Sequence, residues 1–114
     1  MQAPSPGAAA SYNRGMSLTP NQKKYLRGLG HPLQPIVAVG QQGLTDAVVR
    51  ELDLALDTHE LLKVRVRAGD RQLRGEILSG MAERTQAELV HTIGNVGLFY
   101  RKNKELAKLL IPDS

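Results

Sequence analysis

Residues 29–45 read L-G-H-P-L-Q-P-I-V-A-V-G-Q-Q-G-L-T, and three local readings inside this run set the fold. His31-Pro32 ends whatever helix precedes it, because the residue before a proline is driven out of the helical region. Pro35 to Val39 is a short apolar run with β-branched residues, read as a buried strand. Gly40-Gln41-Gln42-Gly43 follows as a turn, and Thr45 then caps a new helix. The run is therefore a helix end, a strand and a helix start, the seed of an α/β unit.

Upstream, Thr19-Pro20-Asn21-Gln22 carries an N-cap, a first-turn proline and the glutamine of a capping box. A helix runs from there to Gly28–Gly30, with Tyr25, Leu26 and Leu29 as its apolar stripe and Lys23, Lys24 and Arg27 on the other side. Downstream, the helix capped by Thr45 extends to about Thr58 with Val48, Leu52, Ala55 and Leu56 inward. Leu61 to Arg67 alternates, Leu62, Val64 and Val66 facing in and Lys63, Arg65 and Arg67 facing out. Asp70 starts a third helix to about Arg84, with Leu73, Ile77 and Met81 inward and weakened by Gly75 and Gly80. Ala87–Ile93 is a third strand, Gly94-Asn95-Val96-Gly97 a turn, and Leu98–Arg101 a returning fourth strand. The order αβαβαββ, with right-handed crossovers, predicts a single α/β (α+β) domain whose first three strands are at least partly parallel and whose end is an antiparallel hairpin.

The 114 residues support one domain, and with aromatics at 4% its core rests on Leu, Val, Ile and Ala. Residues 1–16, rich in Ala, Pro, Ser and Gly, read as a disordered tail, and the domain as 17–113. The absence of cysteine excludes disulfides, thiolate zinc sites and a cysteine nucleophile. No apolar run approaches the roughly 20 residues of a membrane span, and Met1 to Gly15 lack the features of a secretory signal, so the expected location is the cytoplasm.

Catalysis finds no support in the residue pattern. His31, His59 and His91 stand in unrelated contexts, the carboxylates are scattered, and no nucleophile elbow occurs. The expectation is no catalytic residue, metal, cofactor or small-molecule substrate. The net charge of +4 by itself moves the odds toward an anionic partner only modestly, and the placement of the charges matters more. Lys63, Arg65 and Arg67 recur every second residue, about 6.6 Å apart, a spacing that can follow successive phosphates. The competing reading makes them gatekeepers on an edge strand or a water-facing sheet surface. Lys23, Lys24 and Arg27 form a second basic cluster, and Arg101-Lys102 a third. Gly40-Gln41-Gln42-Gly43, between a strand and a helix N-terminus, lets backbone N–H groups approach a phosphate, although glycine also serves such turns for geometry alone. Its inner residues are uncharged, and Asp46 adds a nearby negative charge.

The run 29–45, together with H-E-L-L-K-V-R-V at 59–66 and I-G-N-V-G-L-F-Y-R at 93–101, resembles the CRM domain of bacterial YhbY-type ribosome-assembly proteins and plant organelle splicing factors. The resemblance covers residues 17–104. It implies a mixed four-stranded sheet with packed helices, similar to the C-terminal domain of translation initiation factor three. It also implies RNA binding during maturation of the large ribosomal subunit, with the family's GxxG loop falling on Gly40 to Gly43. The expected protein is a monomer bound to ribosomal RNA in a large-subunit precursor. A protein-interaction module docking on ribosomal proteins is the main alternative, and a phosphate-handling hydrolase the weaker one.

Overall fold

The computed structural model describes residues 18–103 and Pro112. The expected tail at 1–16 and nearly all of the stretch after Asn103 lie outside the described residues. Seven elements follow in the expected order: α1 (Pro20–Gly30), β1 (Pro35–Val39), α2 (Asp46–His59), β2 (Leu61–Val66), α3 (Arg71–Thr85), β3 (Glu88–Ile93) and β4 (Val96–Tyr100). Each helix starts where its cap residue places it. Thr19 and Gln22 close a reciprocal capping box, Thr45 Oγ1 accepts from the Val48 N–H, and the Asp70 carboxylate accepts from the Leu73 N–H.

The four strands form one sheet in the order β1-β2-β4-β3. β1 and β2 are parallel, and β4 is antiparallel to both of its neighbours. The first three strands therefore run in one direction, as expected, but β4 inserts between β2 and β3. The closing hairpin is tighter than the four-residue turn read from the sequence. Ile93 pairs with Val96, so Gly94 and Asn95 alone make the turn, and Gly94 takes the positive φ that its first position favours.

Helices α2 and α3 cover one face of the sheet. Val37, Val39, Leu62, Val64, Val66 and Phe99 meet Leu52, Leu56, Ile77, Leu78 and Met81 there, all buried. Each such side chain contributes about 1.5–3 kcal/mol on burial, which makes this the main core. On the other face α1 lies alone, held by a smaller cluster of Leu26, Leu61, Val90, Leu98 and Tyr100. Only Leu26 and Gly30 of α1 are buried, whereas Tyr25 and Leu29 are exposed. The expected three-residue stripe is thus corrected to a narrow contact, because a single helix crossing a twisted sheet touches it along one line.

That narrow contact leaves part of the sheet open. β1, expected to be buried on both sides, buries Val37 and Val39 but exposes Ile36 and Ala38 on the α1 side. Leu73 also departs from its expected inward position: it sits in the first turn of α3, over Gly69 and beyond the sheet, and is exposed.

The two weak points foreseen in α3 differ in kind. A Cβ at Gly80 would lie 2.7 Å from Leu44 Cδ2, whereas one at Gly75 would meet nothing within 4 Å. Gly75→Ala is therefore expected to stabilise the protein by about 1 kcal/mol through helix propensity, raising the melting temperature by about 4–8 °C. Thermal unfolding followed by circular dichroism checks it, and an unchanged or lower midpoint would place an unrecognised constraint at that position.

Candidate nucleic-acid interface

The open part of the sheet and the C-terminal half of α1 enclose a cleft of about 670 Å³. Its geometry follows from two periodicities. On β2, Lys63 and Arg65 project to the α1 side while Leu62, Val64 and Val66 enter the core. On α1, Lys24, Arg27 and Gly28 fall at i, i+3 and i+4 and line the same cleft. Two basic clusters that are 36 residues or more apart in sequence thus face each other across one opening. Lys63 is fixed there by donating from Nζ to the His31 carbonyl, at 3.2 Å, just past the end of α1.

β2 is an inner strand, paired on both sides. The edge-strand gatekeeper reading of Lys63, Arg65 and Arg67 is therefore corrected, because an inner strand has no free edge to protect. The charge here also has no ion-pair partner among the described residues. The three ion pairs among the described residues join Arg84 to Asp46 and Arg101 to Asp53 and Asp57, and none involves Lys24, Arg27, Lys63, Arg65 or Arg67.

Arg67 lies just past β2 and belongs to the glycine loop rather than to the cleft. Its N–H donates to the Val39 carbonyl at 2.8 Å, and its own carbonyl accepts from Gln41 Nε2 at 2.9 Å. Gln41 thereby holds an exposed arginine beside a loop that carries no cation of its own. The loop is a β-turn closed by the Gly43 N–H on the Gly40 carbonyl, with Gly43 at φ +73° and Gly40, Gln41 and Gln42 exposed. The N–H groups of Gln41 and Gln42 have no backbone acceptor among the described residues. Asp46, whose charge argued against an anion here, is paired with Arg84 at 2.8 Å, and that hydrogen bond and charge hold its carboxyl below the usual carboxylate range. Val66 N–H bonds to the Asn95 carbonyl, so the β3–β4 turn closes the same end of the sheet. Glycine loop, Arg67 and the mouth of the cleft beyond Arg65 consequently adjoin one another.

The other expected cations do not reach this surface. Lys23 is partly buried in the first half of α1 and lies outside the cleft. Arg101 follows β4 at the opposite end of the sheet, since Tyr100 pairs with Leu61 and Val96 with Arg65. Its guanidinium points to the α2–α3 side, reaching the Asp53 and Asp57 carboxylates at 2.6 and 2.8 Å and the Thr85 and Asp53 carbonyls at 2.9 Å. Arg101, read from the sequence as part of a third basic cluster, is therefore an internal tie away from the cleft, and Lys102 stands next to it.

The sequence reading also missed three polar members of the cleft, Gln34, His31 and His91. The histidines come together because Leu98 pairs with His91 and packs against the end of α1 at Gly30. No sequence spacing encodes that meeting. Tyr100 is buried, and burial with the Glu60 charge beside it pushes its hydroxyl above its ordinary value. Among the described residues no group of three or more His, Cys, Asp or Glu could hold a metal ion, and no helix is long and apolar enough to cross a membrane.

Comparison with known proteins extends this geometry. The CRS1 / YhbY (CRM) domain family matches residues 18–101. The chain is 41% identical over 96 residues to the "RNA-binding protein" of Haemophilus influenzae, covering 84% of this chain and 96% of that one. It is 33% identical over 95 residues to the "Probable RNA-binding protein YqeI" of Bacillus subtilis, covering 83% and 99%. The solution structure of SAV1595 from Staphylococcus aureus superposes with a TM-score of 0.74 at 34% identity, covering 84% of this chain and 100% of that one.

Proposed function

The chain belongs to the CRS1/YhbY (CRM) domain family, and from that premise we propose that it is a monomeric, cytoplasmic RNA-binding protein acting on ribosomal RNA in precursors of the large subunit. The observation that carries RNA binding is a set of cations with no ion pair among the described residues: Lys24, Arg27, Lys63 and Arg65 around one cleft and Arg67 at the adjoining loop. Buried ion pairing would cancel such charges. Left free and adjacent, they fit a polyanion whose phosphates release counterions on contact. RNA-binding relatives at 33–41% identity support the same class of partner. The resemblance to YhbY-type assembly proteins supports the ribosomal precursor.

Binding in this reading needs no bond making. The cations hold phosphates, the glycine loop sets how closely a backbone approaches, and Gln41 keeps Arg67 beside it. Crosslinking in cells followed by sequencing of the attached RNA tests the partner. Reads concentrated in large-subunit precursor RNA are expected, and reads spread over messenger RNA would overturn the ribosomal assignment.

The loop's part is separable from the fold. A Cβ at Gly40 would meet nothing within 4 Å, and its φ lies outside the left-handed region. Gly40→Ala should therefore change stability by less than about 0.5 kcal/mol. If a phosphate approaches the loop closely, the added methyl should weaken RNA binding by about 1 kcal/mol, roughly fivefold. Equal affinities for the variant and the parent, measured by fluorescence anisotropy, would return the loop to turn geometry alone.

A further inference from the structure

The floor of the cleft differs in kind from its rim. Leu33, Ile93 and Val96 contribute apolar surface, and Ile93, which is 69% exposed, lines the same cleft as four cations. A surface meant only for phosphates has no use for it. Duplex RNA presents a convex backbone that would touch the rim cations and leave this floor in water. The volume of about 670 Å³ lies inside the range of roughly 300–1,000 Å³ typical of small-ligand clefts.

The polar groups in the cleft carry a second, independent sign. Phosphate oxygens accept hydrogen bonds and offer none, so lysine and arginine satisfy them completely. Gln34 supplies a carbonyl acceptor as well as donors, and a neutral His31 or His91 ring supplies one of each. Acceptors of this kind are matched by the exocyclic amines and ring N–H groups of a nucleobase. An apolar floor, mixed donors and acceptors, and a cationic rim correspond in turn to the face, the edge and the phosphates of one unpaired nucleotide.

We propose that the cleft between α1 and the open part of the sheet receives an unpaired nucleobase, so that the protein binds single-stranded or looped RNA in preference to duplex. The base lies on Ile93 and Val96, its edge meets Gln34 and His91, and its flanking phosphates lie on Lys24, Arg27, Lys63 and Arg65. This inference rests on the RNA-binding reading and deepens it.

The test uses the full chain and three labelled RNAs with equal numbers of phosphates: a mixed-sequence single strand, the same strand with abasic residues, and a blunt duplex. Fluorescence anisotropy at fixed salt should show the single strand binding about tenfold tighter than either of the others, the contribution expected of one packed base. Ile93→Ser, at an exposed position the fold does not need, should remove most of that advantage while leaving the abasic affinity unchanged. Equal affinities for the abasic and intact strands, or a preference for duplex, would overturn the base site and leave RNA binding standing. No binding to any of the three would overturn the RNA reading itself.

Discussion

Replacing Lys63, Arg65 and Arg67 together with alanine is expected to lower RNA affinity roughly a hundredfold while the protein stays folded. Lys63 and Arg65 stand at the cleft on an inner strand, and Arg67 stands beside the glycine loop, so the three proposed phosphate contacts would fall on one continuous surface. Each charge-assisted contact is worth about 1 kcal/mol or more net, which gives about 3 kcal/mol for the three. The fold should survive because the inward residues of β2, Leu62, Val64 and Val66, are untouched. Of the three side chains only Lys63 makes a hydrogen bond among the described residues, an exposed one to His31. Isothermal titration against a single-stranded RNA, with circular dichroism as the folding control, decides the matter. Unchanged affinity in a folded variant would reduce these residues to a solvated sheet face.

Arg101→Ala is expected to do the reverse. Asp53 and Asp57 keep more than half of their side-chain surface in water, so the two ion pairs themselves contribute little. The larger loss is at the Thr85 and Asp53 carbonyls, which Arg101 caps at the C-terminal end of α3 and along α2, and in the packing of a side chain only 18% exposed. Together these amount to about 2 kcal/mol, a fall in melting temperature of roughly 10 °C. RNA affinity of the folded protein should stay within about twofold of the parent, since Arg101 lies at the far end of the sheet from Arg65. A stable Arg101→Ala protein with weakened RNA binding would restore it to the binding surface.

Arg101 shows where sequence reading reaches its limit. Its partners lie 44 and 48 residues away, so nothing local separates a structural arginine from a binding one. The element order was legible because local chemistry dictates it: the Thr19–Gln22 capping box, the alternation of Leu62, Val64 and Val66, and the Asp70 cap all act within a few residues. Strand order was not, because β4 pairs with β2 across some 30 residues of chain and α3 intervenes. That insertion makes β2 an inner strand and brings His91 opposite Leu98, and the cleft exists because of it. Lys24, Arg27, Lys63 and Arg65 were recognisable as charges but not as neighbours. The amphipathic reading of α1 failed for a related reason: Tyr25 and Leu29 look inward by composition, yet the sheet offers room for Leu26 and Gly30 only.

Salt dependence of RNA affinity tests the central claim most directly. Association of the parent protein with a single-stranded RNA of about 15 nucleotides, followed from about 50 to 300 mM potassium chloride, reports how many phosphates the cations neutralise. Five cations with no ion pair among the described residues, at about 0.7 counterions each, predict a slope near −3.5 for log K against log salt. A slope shallower than about −1, with binding that persists at high salt, would contradict a phosphate-led interface and assign the surface to an apolar protein partner.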